Sequence, residues 1–313
     1  MYGFLMRRLA ATIPVLGMVA LFVFLLLRMT PGDPAAVLAG DNGTPQQIAE
    51  IRETLGLNKP IPVQLGIWFS NLLQGDLGQS YFFKKDVTEL ILLRVEPTVA
   101  LAITTLVITV LIAVPIGVIA AYRHGTWLDR CVMGFSVLGF SVPVFVVGYI
   151  LIYLFAMQFK MFPVQGYKEL ADGFFPFIHR LILPSITLSV IYIALIARIT
   201  RASVLEVLGE DYIRTAHAKG LPNRVVLLRH ALRNAAVPIV TVIGIGVALL
   251  ISGVVVTESV YNIPGLGRLT VDAVLGRDYP TIQAVILVFS GVYVLINFLI
   301  DLTYSFLDPR IRY

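Results

Sequence analysis

Cysteine is almost absent from this chain: Cys131 stands alone among 313 residues. That excludes an intrachain disulfide framework and a cysteine metal cluster, and leaves Cys131 as a small apolar filler near a helix end. Charge is scarce too. Only 14% of residues are Asp, Glu, Lys or Arg while 58% are hydrophobic, and the mean hydropathy is +0.86. Soluble domains carry about 25% charged residues, so the balance points to an integral membrane protein. Motifs for chemistry are missing as well. No G-x-x-x-x-G-K-[ST] occurs, so the chain has no P-loop of its own. No H-E-x-x-H occurs, and His124, His179, His217 and His230 fall at helix ends or loops, where packing or interface roles suit them better than metal ligation. Ser141 and Ser290 lie in apolar stretches without a histidine to serve as base. Gly75-Asp76 lacks the second buried Asp that an intramembrane aspartyl protease needs. The Gly265-Leu266-Gly267 stretch follows Pro264 and reads as a turn in an outer loop, not as a dinucleotide fingerprint. No cofactor and no metal is expected on the chain. The net charge of +5 follows membrane topology rather than nucleic acid, which is not an expected partner.

What is present is long apolar runs. Six segments approach the ~20 residues needed to cross a bilayer: Leu9 to Leu27, Thr98 to Ala121, Val132 to Met157, Leu181 to Ala197, Val237 to Thr257 and Ile282 to Ile300. The fourth is the shortest. The first exceeds a 7–15-residue signal core and reads as a retained anchor. With the N-terminus inside, the inner segments hold 13 Lys and Arg against 6 acids, and the outer ones 11 against 13. The positive-inside rule then puts both termini in the cytoplasm of a multi-pass protein. Pro115 with Gly117 and Pro143 with Gly139 mark bends in the second and third spans. The small residues Gly244, Ala248 and Ser252, four apart, suit a close helix approach in the fifth.

The expected organisation is 1–28 as N-terminus and first span, 29–97 as a helical extracytoplasmic segment, 98–303 as the transmembrane core, and 304–313 as a cytoplasmic tail. Within 29–97, Thr44-Pro-Gln-Gln47 is a capping box with Pro at the first helical position. The helix it opens stops at Gly56, and a second apolar helix stops at Gly75. Asp86 and Glu89 open a third before Leu90 and Ile91.

One polar stretch interrupts the second half, GEDYIRTAHAKGLPNRVVLLRHALRNAAVP from Gly209 to Pro238. Tyr212 to Ala218 reads as a short helix, ended by Gly220 in a left-handed conformation and kept from resuming by Pro222. Asn223 suits the N-cap of a second helix running through Asn234. Composition leaves two readings of this hairpin open. One is an interfacial helix pinned to anionic lipid by arginines; the other is a docking element for a cytoplasmic protein. DNA binding by a tethered helix pair with Glu210 and Asp211 beside it is a poor fit.

The stretch resembles the cytoplasmic signature loop of binding-protein-dependent ABC importer permeases. That family's pattern is Glu-Ala-Ala, three residues, Gly, nine residues, Ile-x-Leu-Pro. Placing its Gly on Gly220 puts Glu-Ala-Ala on Arg214, Thr215 and Ala216, and the Ile, Leu and Pro positions on His230, Leu232 and Arg233. The Glu and the Pro are therefore absent here. These departures resemble the dipeptide/oligopeptide/nickel subfamily in its first-permease branch. So do MTPGDPA after the first span, GDLGQS at Gly75 to Ser80, ESVYNIPGLGRL at Glu258 to Leu269, RDYPTIQ at Arg277 to Gln283, and DPRIRY at the end.

The resemblance implies an all-α, six-span ABC type I importer permease fold in a bacterial inner membrane. It implies a coupling loop at about 199–236 that seats in a groove of an ATPase through Asp211, Tyr212, Arg214, Thr215, Ala216, Ala218, Lys219, Gly220, Leu221 and Arg224. It also implies a second homologous permease chain, two ATPase subunits that carry ATP and Mg, an extracytoplasmic solute-binding protein, and membrane lipid around the spans. Di- or oligopeptides, glutathione, nickel, opines and sugars are the subfamily's solutes. From the sequence itself, Ser141, Thr257, Ser259 and Tyr261 are polar side chains available to a solute, and nothing in the sequence singles them out. The rival functions are a proton-coupled carrier, against which the nearly charge-free span interiors argue, and a non-transporting scaffold.

Overall fold

The computed structural model describes residues 2–29, 32–40 and 43–307, with side chains from 11 to 303. Asp308, Arg310, Arg312 and the DPRIRY motif lie outside the described residues. Among those described, every regular element is helical, and Gln79 and Asp86 form an isolated bridge. The elements run α1 (Tyr2–Met29), α2 (Pro34–Ala39), α3 (Pro45–Thr54), α4 (Ile61–Leu73), α5 (Val87–Tyr122), α6 (Trp127–Ser141) and α7 (Val144–Leu151). They continue with α8 (Phe174–Leu208), α9 (Asp211–Ala218), α10 (Asn223–Val225), α11 (Leu232–Asn234), α12 (Ala236–Tyr261), α13 (Leu266–Leu275) and α14 (Tyr279–Leu307). π-helical turns follow α7 at Ile152–Gln158 and α10 at Val226–Ala231. Among the described residues, five helices are long and apolar enough to cross a membrane, and the bent pair Trp127–Ser141 and Val144–Gln158 makes a sixth crossing if taken as one span.

The chain divides into two compact units, Met1–Glu96 with Pro264–Val294 and Pro97–Ile263 with Leu295–Tyr313. In the first, the Thr44 capping box forms: Thr44 Oγ1 accepts from Gln47 N–H at 3.3 Å and Gln47 Oε1 accepts from Thr44 N–H at 3.0 Å. Asp33 caps α2 by accepting from Ala35 N–H at 3.0 Å and pairs with Arg52 at 2.9 Å. The third expected short helix is not separate. Val87, Leu90 and Ile91 are buried in the first turns of a 36-residue α5 that runs on through Pro97 and Pro115. Gly265 to Gly267 is likewise not a free turn. Gly265 precedes α13 and Gly267 lies inside it, because Leu266, Leu269 and Ala273 form a buried stripe at helical spacing.

Two of the motifs read from the sequence meet in this unit. Asp278 is fully buried and accepts hydrogen bonds from Ser80 Oγ, from Tyr81 N–H at 3.0 Å and from Thr281 Oγ1 at 2.8 Å. Ser80 Oγ in turn accepts from Phe83 N–H at 2.8 Å. A buried carboxylate is tolerable when its lone pairs are met in this way, and here it ties the end of GDLGQS to the start of RDYPTIQ.

The second unit is a bundle centred on α8, which packs against α6, α7 and α12. Its core runs from Leu101 and Ala113 through Leu181, Leu188 and Ile196 to Val254 and Tyr261. α8 extends well beyond the expected Leu181 to Ala197, covering 35 residues, and buries Ser185, Thr187, Ser189, Thr200 and Ser203. Close crossings depend on small residues. A Cβ on Gly117 of α5 would lie 2.7 Å from Ala197 O and from Thr200 Cβ, and one on Gly244 of α12 would lie 2.5 Å from Ile300. The third span breaks by 105° between α6 and α7. Pro143 lacks a donor and pushes Val142 to extended geometry (φ −90°, ψ 127°). The bend expected at Gly139 and Pro143 is therefore a full break.

Candidate functional site

The stretch between α8 and α12 folds into a helical knuckle. In α9, Ile213 and Ala216 are buried on one face, while Asp211, Tyr212, Arg214, Thr215, Ala218 and Lys219 are exposed on the other. The helix ends as its glycine predicts. Gly220 takes φ +78°, Leu221 N–H donates to Ala216 O at 3.3 Å, and Gly220 N–H donates to His217 O at 2.9 Å. That is the 6→1 and 5→2 pair of a Schellman cap. A Cβ on Gly220 would meet nothing within 4 Å, so the glycine is required by backbone angle and not by space.

Asn223 does not cap the second arm. Pro222 stands at the cap position and Asn223 is the first helical residue, its Nδ2 donating to Tyr122 OH at 3.1 Å. The arm then continues through the π-helical turn and α11 almost without a break into α12. Val226 and Ala231 face inward, while Arg224, Arg229 and Arg233 stay exposed. Asn234 Nδ2 donates to Tyr212 OH at 2.9 Å and clasps the two arms together.

The knuckle is rooted in the bundle. Ile213, Ala216, Val226 and Ala231 share one core with Val118 and Ala121 of α5, Val204 of α8, and Ile239 of α12. The apolar face of α9, which an interfacial helix would lay into lipid, is thus covered by protein. What remains outward is polar and charged. Of the ten residues assigned to coupling, Ala216 lies on the inner face and Leu221 is half-buried beside it. Asp211, Tyr212, Arg214, Thr215, Ala218, Lys219, Gly220 and Arg224 are exposed.

A brace beside the knuckle was not singled out from the sequence. Asp129, 5% exposed at its side chain, accepts from Arg201 Nε, from Arg201 Nη2 at 2.8 Å and from Gly125 N–H at 3.0 Å. Arg201 Nη2 also lies 3.0 Å from His124 Nδ1. This two-pronged ion pair, 72 residues apart in sequence, ties the first turn of α6 to the last turns of α8. The available signal was a lone acid in a basic inner loop, which does not name its partner.

The four side chains expected to meet solute do not converge. Thr257 and Tyr261 are buried in the bundle, with Tyr261 OH 2.7 Å from Thr187 Oγ1. Ser141 and Ser259 are exposed, and their hydroxyls donate to Val137 O at 2.8 Å and Val255 O at 2.9 Å in their own helices. Glu258, beside Thr257, is fully buried and accepts from Thr98 Oγ1 at 2.6 Å. Among the described residues no cluster of three or more His, Cys, Asp or Glu is arranged to hold a metal.

Comparison with known proteins gives a consistent set of likenesses. The family described as "Binding-protein-dependent transport system inner membrane component" matches residues 113–313, and its N-terminal counterpart matches residues 1–102. The chain is 56% identical over 310 residues to a "Probable peptide ABC transporter permease protein" of Sinorhizobium fredii, covering 99% of each. It is 43% identical over 313 residues to the "Glutathione transport system permease protein" of Escherichia coli O6:H1, covering 100% of each. Among solved structures, a chain of the MetNI methionine ABC transporter in an inward-facing conformation superposes with a TM-score of 0.59 at 18% identity. The match covers 71% of this chain and 97% of that one.

Proposed function

We propose, since the chain belongs to the family of binding-protein-dependent transport system inner membrane components, that it carries di- or oligopeptides, or a related small solute such as glutathione, by alternating access. It is a multi-pass inner-membrane permease subunit of an ABC importer, with the type I permease fold, and it is not itself the ATP-hydrolysing part. In the proposed assembly a second homologous permease supplies the other half of the path. Two ATPase subunits that hold ATP and Mg seat below, and a solute-binding protein delivers from the other side. The termini and the knuckle face the cytoplasm, a placement supported by the excess of Lys and Arg in those segments.

The observation that carries this reading is the knuckle: its inner face is fused to the ends of three helices, and its outer face is polar and exposed. Such an element passes force from an outside protein to the bundle as a rigid body. A pore assembled from two chains also accounts for Ser141 and Ser259 being exposed on a single one.

The test is a tagged chain purified from its host membrane. An ATPase bearing a P-loop is expected to co-purify, and vesicles holding the whole complex are expected to take up peptide only with ATP. Exchanging charges with Asp211→Arg and Arg214→Glu, both on the exposed face, is expected to release the ATPase and leave the chain folded. Uptake by the chain alone, abolished by a proton ionophore and indifferent to ATP, would overturn the reading.

A further inference from the structure

A cavity of about 330 Å³ lies within the unit formed by Met1–Glu96 and Pro264–Val294. Its wall brings together two cations, Arg28 and Lys59, four amides, Gln64, Asn71, Gln79 and Gln283, and two phenols, Tyr81 and Tyr279. Arg28 ends the apolar stretch Ala11–Met29, where a span meets water. Its guanidinium lies 3.4 Å from the centre of the Phe24 ring and donates to two neutral oxygens, Gln64 Oε1 at 3.0 Å and Phe24 O at 3.2 Å. Gln64 is held in that orientation by its own donations to Leu57 O at 3.2 Å and Lys59 O at 2.8 Å. Gln283 is 3% exposed and its Nε2 has no protein partner, a costly state for a buried donor unless another molecule meets it. Asp76, the carboxylate on the wall, accepts from Gly78 N–H at 2.8 Å. Burial holds the Tyr81 phenol at about 12, so it stays a neutral hydroxyl.

The surroundings say what reaches this cavity. α4 lines it with Ile67 and Trp68 and is fastened beside the last turns of α1, the Trp68 and Phe24 rings lying 5.4 Å apart. The same helix exposes Ile61, Val63, Phe69 and Leu73. An apolar helix with bare apolar side chains beside the end of a span belongs at the bilayer boundary, where phosphates are the abundant anions. We infer that the cavity binds a phosphate-bearing glycerol headgroup of an anionic phospholipid. Its phosphate rests between Arg28 and Lys59, and its hydroxyls meet Gln64, Gln283 and Tyr279. A soluble glycerol phosphate shares this chemistry and differs only in where it comes from.

Native mass spectrometry of the purified chain, offered phosphatidylglycerol, phosphatidylcholine or glycerol 3-phosphate, tests the site. Phosphatidylglycerol adducts are expected to outlast phosphatidylcholine adducts, because the two cations oppose the choline head. Arg28→Gln and Lys59→Gln are each expected to weaken phosphatidylglycerol binding about tenfold, the effect of losing one charge-assisted contact. Lys59 is exposed, so its variant reads binding even where Arg28→Gln disturbs the fold. Glycerol 3-phosphate binding without lipid adducts supports the phosphate chemistry and assigns it to a soluble source. Equal retention of the two lipids, or a Lys59→Gln variant that binds unchanged, overturns the inference.

Discussion

Replacing Gly220 separates backbone strain from crowding. The residue takes φ +78° with nothing within 4 Å of where a Cβ would stand. The cost of a side chain is therefore conformational: a left-handed residue other than glycine costs roughly 1–2 kcal/mol, less for Asn, whose short polar side chain tolerates that region, and more for a β-branched residue. The cap it serves is read by the Leu221 amide, which donates to Ala216 O at 3.3 Å. Hydrogen exchange of that amide is expected to run about 5–30 times faster in Gly220→Ala, since 1.4 kcal/mol is tenfold in an opening equilibrium. Gly220→Asn should fall below Ala and Gly220→Val above it. Crowding would rank the same variants by volume and put Asn above Ala. An Asn variant that exchanges faster than the Ala variant refutes the strain argument. Uptake measured on the same variants adds a second reading: Gly220→Asn with a near-normal cap and lost transport would mean that an ATPase approaches the bare backbone there.

Substitutions at three further sites, with Gly134 as a control, test the frame around the knuckle. Asp129→Asn leaves Arg201 partly buried without its counter-charge and is expected to destabilise by about 3 kcal/mol, seen as a lower midpoint in thermal unfolding, with Asp129→Glu milder. Tyr212→Phe removes the hydroxyl that accepts from Asn234; its cost should be no more than about 1 kcal/mol, visible as faster exchange of the α11 amides without a clear shift in unfolding temperature. Gly117→Ala drives a Cβ to 2.7 Å from Ala197 O and Thr200 Cβ, and overpacking of this kind costs about 1–3 kcal/mol. Gly134→Ala, with nothing within 4 Å, should be neutral or slightly stabilising in the same assay.

The spans were legible because the bilayer dictates their composition, and the least legible one is the most instructive. α8 looked short because His179 and Arg180 on one side and Arg198 and Arg201 on the other bound its apolar run, yet it is the helix around which the second unit is built. A span wrapped by protein is released from the demand for apolar residues on every side, so hydropathy underrates it. The Thr44 box and the Gly220 cap were readable because their hydrogen bonds close within a few residues. The Asp129–Arg201 pair was not, because nothing local links residues 72 apart. The buried stripe of α13 was present in the sequence at helical spacing, and reading Gly265 to Gly267 as a turn hid it. The break at Pro143 was foreseeable as a position. Its angle depends on contacts such as that of Gly139, where a Cβ would lie 3.1 Å from Ala194.

The division of α9 into a face that holds the bundle together and a face that does not has a practical outcome. Side chains such as Arg214, Thr215 and Lys219 can be exchanged without touching Ile213 or Ala216. Under the proposed assembly, transplanting only that outer set from a relative should redirect the importer to the relative's motor, with the pore and its cargo left as they were.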